Sequence, residues 1–443
     1  MSDWREVTIG ELIDDGRALI QTGPFGSQLH AHDYVSTGIP VIPTEAIGRR
    51  LINDAKLPKV SSETARRLQR HRLRCGDILF ARRGIQATGL SAIVYERHEG
   101  ALCGTGAILL RIIDPKIDPT YVSFALALDS TCDWIRSRAV GAVMPNLNAS
   151  ILRALPLQLP EPSIQRSISS VLSSLDDKIA LNRRMNHTLE ATAAALFRSW
   201  FVDFDPVVAK AEGRRAVGVP VDVRDVFPAT FSVDGELAVP AGWCMQAVSE
   251  FIELNPTRRL PNGTVAPYLD MAATPTTGHA PDKWIHRAAG SGARFVNGDT
   301  LLARITPCLE NGKSAFVDSL ADGEVGWGST EFIVLRPIEP IPPVFAYLLA
   351  RWPDFRDHAE RSMTGSSGRQ RVALDALAAF KFVRPPDSVA RAFGESVKPL
   401  FERVASNMAE NRTLAALRDT LLPQLLSGAI RLRDAERAVG TAI

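Results

Sequence analysis

The chain has 443 residues, 45% of them hydrophobic, with 51 basic and 49 acidic side chains and a formal net charge of +2. That length predicts two or three domains rather than one, and so balanced a charge neither requires nor excludes nucleic acid, for which local clustering matters more than the sum. No window reaches the roughly 18 to 20 uninterrupted apolar residues of a membrane span, and five scattered cysteines without a CxxC pair indicate neither a disulfide framework nor a zinc site.

The start, Met1-Ser-Asp-Trp-Arg, is unlike a secretory signal, so a cytoplasmic protein is expected. Residues 1–160 mix short apolar runs, Ile78-Leu-Phe-Ala81, Ser91-Ala-Ile-Val-Tyr95 and Ala107-Ile-Leu-Leu-Arg-Ile112, with punctuation such as Gly23-Pro24-Phe25-Gly26-Ser27 and Gly38-Ile-Pro-Val-Ile42. Runs bounded in this way predict strands. Phe124, Leu128 and Trp134 at helical spacing predict a helix over 121–138, which makes this an α+β domain. The prolines of Leu155-Pro-Leu-Gln-Leu-Pro-Glu-Pro162 keep the chain extended up to a long helix over 161–204, with Ser163 as its N-cap.

Within that helix Ile168, Leu172, Leu175, Ile179, Asn182, Asn186, Leu189, Ala193, Leu196 and Trp200 advance by alternating steps of four and three, the a/d seam of a coiled coil. Residues 205–240, rich in Gly, Pro and Val, lack a sustained helical period and predict a surface connector. A second globular domain over 241–385 begins at Gly242-Trp243 and repeats marks of the first: Gly76-Asp-Ile-Leu-Phe-Ala-Arg82 returns as Gly298-Asp-Thr-Leu-Leu-Ala-Arg304, and Arg111 as Arg336. A second long helix over 386–428 repeats the first at a constant offset of 225, from Asn182 to Asn407, with the seam Phe393, Val397, Leu400, Val404, Asn407, Asn411, Leu414, Arg418, Leu421 and Leu425. The tail, 429–443, is expected to be mobile.

The candidate register residues are Leu175, Ile179, Asn182, Asn186 and Leu189 with Leu400, Val404, Asn407, Asn411 and Leu414. Polar a and d positions weaken a coiled coil but fix its register, because an unpaired buried amide costs about 1–3 kcal/mol. In an antiparallel pair the central layers stay central, so Asn182 and Asn186 meet Asn411 and Asn407. The expected architecture is two mixed globular domains separated by two long helices packed as an antiparallel coiled coil, an internal pseudo-two-fold repeat. A helix of about 39 residues is about 58 Å long, a spacer. The alternative is that each helix packs only on its own domain.

Several longer stretches bear on identity: Gly23-Pro-Phe-Gly-Ser-Gln-Leu29 with Asp33-Tyr34, both Gly-Asp strands, Leu175-Asp-Asp-Lys-Ile-Ala-Leu-Asn-Arg-Arg-Met-Asn186, Phe201-Val-Asp-Phe-Asp-Pro206, and the run from Asn411 to Gly428. With these the chain resembles the specificity subunit of a type I restriction-modification system over nearly its whole length. The resemblance implies two target-recognition domains, each reading one half of a split double-stranded DNA sequence, with paired helices setting the unread spacer. It also implies that the helices dock two methylation subunits and that a restriction or translocase subunit joins for cleavage. S-adenosylmethionine, Mg2+ and ATP would then sit on those partners, and this chain would do no chemistry.

A DNA reader needs phosphate contacts for position and base-edge contacts for specificity, from donors near loops whose glycines allow close approach. In the first domain the candidates are Gln28 and His30 after the Gly-rich loop, and Arg82, Arg83, Gln86 and Thr88 after the Gly-Asp strand; Arg66, Arg67, Arg70, Arg72 and Arg74 form a basic run suited to phosphates. In the second they are Arg304, Thr306, Asn311 and Lys313, with Thr364, Ser366, Arg369, Gln370 and Arg371 around Gly365-Ser-Ser-Gly368. For each of these, a solvated or locally paired side chain is an equally good reading. Asp77 and Asp299 are better explained as turn caps than as DNA contacts.

Other motifs fail on inspection. Asn311-Gly-Lys-Ser314 ends like a phosphate-binding loop but has Pro307 where a glycine is required, so a hairpin turn is expected. Asn255-Pro-Thr-Arg258 lacks the second proline and the aromatic that would hold a flipped base. There is no glycine fingerprint for a methyl donor and no metal-ligand cluster, and His358 is expected to be structural. The competing functions are an enzyme with an unrecognised nuclease or methylase site, a tandem-domain scaffold that does not bind DNA, and the specificity subunit of a methylase-only system.

Overall fold

The computed structural model describes residues 4–54, 56–82, 88–139, 146–216, 218–219, 221–234, 237–281, 284–366 and 368–442. It divides into two compact units, Met1–Lys178 with Thr413–Ile443, and Ile179–Arg412, so each long helix contributes one part to each unit.

Both units follow one plan. In the first, strand Arg5–Thr8 pairs antiparallel with Pro156–Leu159, directly ahead of the helix Pro162–Phe201. In the second, Cys244–Ala247 pairs in the same sense with Lys381–Arg384, directly ahead of the helix Asp387–Leu426. The main sheet of the first unit runs Ala18–Thr22, Ala107–Ile112, Ile78–Ala81, Ser91–Ile93, all antiparallel. Its counterpart runs Ile252–Leu254, Phe332–Pro337, Thr300–Ala303, Ser314–Phe316, again antiparallel. The Gly-Asp strands are interior to these sheets, and Ile78–Ala81 and Thr300–Ala303 are buried throughout, as a continuous apolar run requires. Each unit adds a second four-stranded sheet with one parallel pairing, Ile39–Ile42 beside Leu102–Cys103 and Val265–Leu269 beside Gly326–Gly328.

The two aspartates cap turns, as expected. Asp77 Oδ2 accepts from the Arg74 amide at 2.7 Å, and Asp299 Oδ2 from the Val296 amide at 2.8 Å. Their second role was not foreseen: Asp77 forms a two-pronged pair with Arg111 at 2.6 and 2.7 Å, and Asp299 faces Arg258 and Arg336, each at 3.2 Å.

The long helices pack on each other antiparallel. Asn182 Nδ2 donates to Asn411 Oδ1 at 3.1 Å and to Glu410 Oε2 at 2.7 Å, while Asn407 Nδ2 donates to Asn186 Oδ1 at 2.8 Å. Partners descend along one helix as they ascend along the other. Around these layers Leu175, Ile179, Val404 and Leu414 are buried, and Leu189 and Leu400 are half-buried. Toward the end of the first helix the seam drifts from the expected line. Phe197 and Phe201 are buried and Leu196 only partly, because that end lies inside the aromatic core of the second unit, where Phe201 meets Phe345 and Phe393 at 5.2 and 4.8 Å. Replacing Asn186 alone with leucine is expected to strand the Asn407 amide and lower the urea-unfolding free energy by about 1–3 kcal/mol. The double change Asn186→Leu, Asn407→Leu should recover most of that loss.

Two expectations are corrected. The connector packs inward rather than lying on the surface: it forms the helix Asp205–Ala211 and the hairpin Phe231–Asp234 with Leu237–Pro240. Val207, Val219, Val223 and Phe227 are buried, the Phe227 ring 4.9 Å from that of Trp200. The tail is ordered as the helix Leu432–Ala442, with Ala435 and Val439, four apart on one face, buried in the first unit.

Candidate nucleic-acid interface

In both units the Gly-Asp strand runs into a loop tied by backbone bonds to a second loop. The Leu147 amide donates to the Arg82 carbonyl at 2.9 Å, and the Val372 amide to the Arg304 carbonyl at 2.9 Å, the same bond in each repeat. In the first unit Arg82 Nε reaches Asn146 Oδ1 at 3.2 Å. In the second, Thr306 and Gln370 exchange two bonds, Thr306 N to Gln370 O at 3.0 Å and Gln370 N to Thr306 Oγ1 at 3.1 Å. That links the loop after Ala303 to the hairpin of Met363–Thr364 with Arg371–Val372. Gly365 and Gly368, at φ +128° and +79°, shape the turn between those strands where a side chain would be strained.

The hairpin in the second unit thus gathers Arg304, Thr306, Ser366, Arg369, Gln370 and Arg371. Ser366, Arg369 and Asn311 are exposed, and Gln370 is half-buried. Arg371 is engaged by Glu331 through both Nε and Nη2, the shortest contact 2.6 Å, and this bidentate bond holds the Glu331 carboxyl below its usual range. Lys313 does not face an anion-binding loop: its Nζ bonds the Met271 and Ala272 carbonyls, and Asn311-Gly312 lies in the antiparallel connection from Thr300–Ala303 to Ser314–Phe316, the hairpin expected. Asn255 likewise closes a strand, its Oδ1 accepting from Val334 N at 2.8 Å, and His358 bonds the Ala376 carbonyl at 3.0 Å in a structural role.

In the first unit Gln28 and His30 stand on the Gly-rich loop, His30 exposed and stacked on His32 at 5.1 Å. Gly23 anchors this loop, since a Cβ there would sit 1.9 Å from the Gly104 carbonyl oxygen. Arg66, Arg67, Arg70, Arg72 and Arg74 are all exposed. Thr88 is a correction: at 1% exposure its hydroxyl is not on the surface, and its carbonyl accepts from Arg136 Nε at 3.3 Å. Arg83 and Gln86 lie outside the described residues.

Each unit also grips its part of the helix pair through buried charge. In the first, Asp176 of the Pro162–Phe201 helix lies between Arg50, which it meets through Nη1, and Arg418 Nη1 at 2.8 Å. In the second, Glu190 accepts from the Tyr347 hydroxyl at 2.9 Å and lies 3.6 Å from His279 Nδ1, whose Nε2 meets Asp318 at 2.6 Å. Burial alone would lower the His279 pKa, but Asp318 and Glu190 overcome it and raise the value to about 9. None of these residues was singled out from the sequence for such a role. Asp176 lies inside a stretch noted for its likeness to known proteins, whereas Arg50 and His279 carry no local signal at all.

Residues 1–191 match the family model described as the type I restriction modification DNA specificity domain. Over 97% of this chain and the full length of the relative, the sequence is 23% identical to the type I restriction enzyme HindI specificity subunit of Haemophilus influenzae. Over residues 1–191 the chain is thus similar to that specificity-domain family, and over 97% of its length to a specificity subunit. A second relative is the type I restriction enzyme MjaIX specificity subunit of Methanocaldococcus jannaschii, 23% identical over 73% of this chain and 72% of that one. A third, the EcoAI specificity subunit of Escherichia coli, is 45% identical over 18% of this chain and 13% of its own length. The fold is shared with the crystal structure of the type I restriction-modification S subunit from M. genitalium, at TM-score 0.53 and 15% identity over 96% of each chain. No described helix is long and apolar enough to cross a membrane.

Proposed function

We propose that this subunit reads a split double-stranded DNA sequence in the cytoplasm, one half-site for each of two recognition domains, 1–160 and 241–385. The helices 161–204 and 386–428 would set the spacer between the half-sites and form the scaffold for two methylation subunits and a restriction subunit. The connector 205–240 and the tail 429–443 brace that frame. The chain itself does no chemistry; S-adenosylmethionine, Mg2+ and ATP belong to the partners. The carrying observation is the repeated bond from Leu147 to Arg82 and from Val372 to Arg304, which gives both units the same two-loop edge beside the same interior strand.

The surface candidates for DNA are Gln28, His30 and Arg82 in the first unit and Arg304, Thr306, Asn311, Ser366, Arg369 and Gln370 in the second. Arg371 and Lys313 are positioning residues for the loops that carry them, since each already has a partner. Mapping methylated bases in the genome of a host carrying or lacking this gene tests the proposal. One split motif should disappear on deletion, and an unchanged methylation pattern would overturn it. Adding a heptad to both helices lengthens each by about 10 Å, or about three base pairs at 3.4 Å per base. The spacer in the methylated motif should change while both half-sites persist; an unaltered spacer would refute the helical ruler.

A further inference from the structure

The Gly-rich loop of the first unit presents a ring that nothing in the fold requires to be outside. Phe25 is 56% exposed, whereas a side chain of this kind is ordinarily buried. The loop beneath it is held on all sides. Phe25 N donates to Gln28 Oε1 at 3.2 Å, and its carbonyl accepts from Gln28 N at 2.8 Å and Leu29 N at 3.3 Å. Arg70 Nη2 donates to Gln28 Oε1 at 3.3 Å, Arg67 Nη1 to the Gln28 carbonyl at 2.8 Å, and Arg67 Nη2 pairs with Asp33 at 2.7 Å. Leu29 is buried and anchors the loop in the core. An apolar ring therefore sits on a preorganised turn bonded by Arg67 and Arg70, in the loop that carries the stacked imidazoles of His30 and His32.

We infer that Phe25 is a specificity-determining residue whose ring packs against the 5-methyl group of a thymine in the major groove of the half-site read by the first unit. This rests on the DNA-reading role proposed above. Cations and donors on this turn match a polyanion, and the thymine methyl is the apolar feature of major-groove base edges. A ring inserted between base pairs would have to stand clear of its loop. Phe25 is nearly half covered, and the bonds at its amide and its carbonyl hold the backbone that carries it within the turn. With the Gln28 oxygen engaged by Phe25 N and Arg70, its amide NH2 is left to donate to a neighbouring base edge.

The test uses the complex of this subunit with its methylation subunits and duplexes carrying the motif, each thymine replaced in turn by uracil, which lacks only the methyl. Wild type should lose about fourfold in affinity at one position of one half-site, the equivalent of one buried methyl at about 0.8 kcal/mol. Phe25→Ala should bind the thymine duplex more weakly by at least that factor and show no further loss with uracil there. Its binding to the other half-site and its thermal unfolding should not change. Phe25→Leu should retain part of the uracil sensitivity. If no uracil effect disappears in Phe25→Ala, the contact is refuted. If the wild-type complex shows no split motif, the DNA-reading role falls and this inference with it.

Discussion

Replacing Asp176 with alanine is expected to lower the unfolding free energy of the first unit by about 3–5 kcal/mol, the loss that follows when one partner of a buried ion pair is removed. Asp176 stands between two guanidiniums. Arg50 is 6% exposed, its Cζ 3.3 Å from the centroid of the Phe124 ring and its Nε 3.2 Å from Ser123 Oγ. Burial lowers the Arg50 pKa, and Asp176 is the first of the groups that oppose this. Without the carboxylate, the buried Arg50 loses its acid partner, whereas the partly exposed Arg418 keeps Asp419. Arg50 cannot easily swing out: its backbone, at φ +60°, is locked by a bond from its amide to the Ser91 carbonyl at 2.7 Å. Urea unfolding followed by fluorescence measures the effect. Arg50→Met with Asp176→Leu should restore much of the stability, since apolar replacements of buried pairs are often neutral. A near-normal midpoint for Asp176→Ala would mean that the helix is not anchored here.

The second unit is expected to lose stability as pH rises, by on the order of 3 kcal/mol between about pH 6.5 and pH 9. His279 is 1% exposed, and although burial opposes its charge, Asp318 and Glu190 raise its pKa to about 9. A raised folded-state value means that the contribution is fully present below the unfolded value near 6.5 and disappears as pH climbs through the folded one. Glu190 matches this: burial would raise its pKa, but His279 and Tyr347 bring it below the usual range. The tyrosine hydroxyl stays protonated, its own pKa pushed well above 10 by burial. Unfolding midpoints at pH 6 and pH 9 should differ in wild type and converge in His279→Gln, which loses stability mainly at the lower pH. Equal slopes in the two proteins would remove His279 as the cause.

The parts legible in the sequence were those with a period or a repeat. Asn182, Asn186, Asn407 and Asn411 could be paired because alternating steps of four and three define a seam, and the repeated Gly-Asp runs could be read as strands, though not as interior ones. The seam slipped at Leu196 because a helix end buried on more than one side no longer reports a single stripe; Phe197 and Phe201 reveal the wider buried face. The connector escaped because Val207, Val219, Val223 and Phe227 are spread over elements too short to show a period. For the tail, Ala435 and Val439 offered a signal one turn long, below what distinguishes a helix from chance. Arg50, Asp176 and Arg418 could not be joined from sequence, since their attraction depends on a meeting across 126 and 242 positions. The site candidates fared unevenly for a related reason. A cation near a glycine loop looks free until its own acid, as Glu331 for Arg371, is brought to it by the fold.

The division of the chain bears on how the protein is made. Residues 1–178 belong with 413–443, whereas 179–412 are continuous. During synthesis residues 1–178 therefore complete their own packing only after 413–443 have left the ribosome; residues 179–412 can finish earlier. Contacts so distant in sequence form slowly and leave apolar surface exposed while they wait. A stop codon near position 412 would thus damage the unit that contains residues 1–178 and spare residues 179–412. Limited proteolysis of nascent chains arrested before and after 413 would reveal that order.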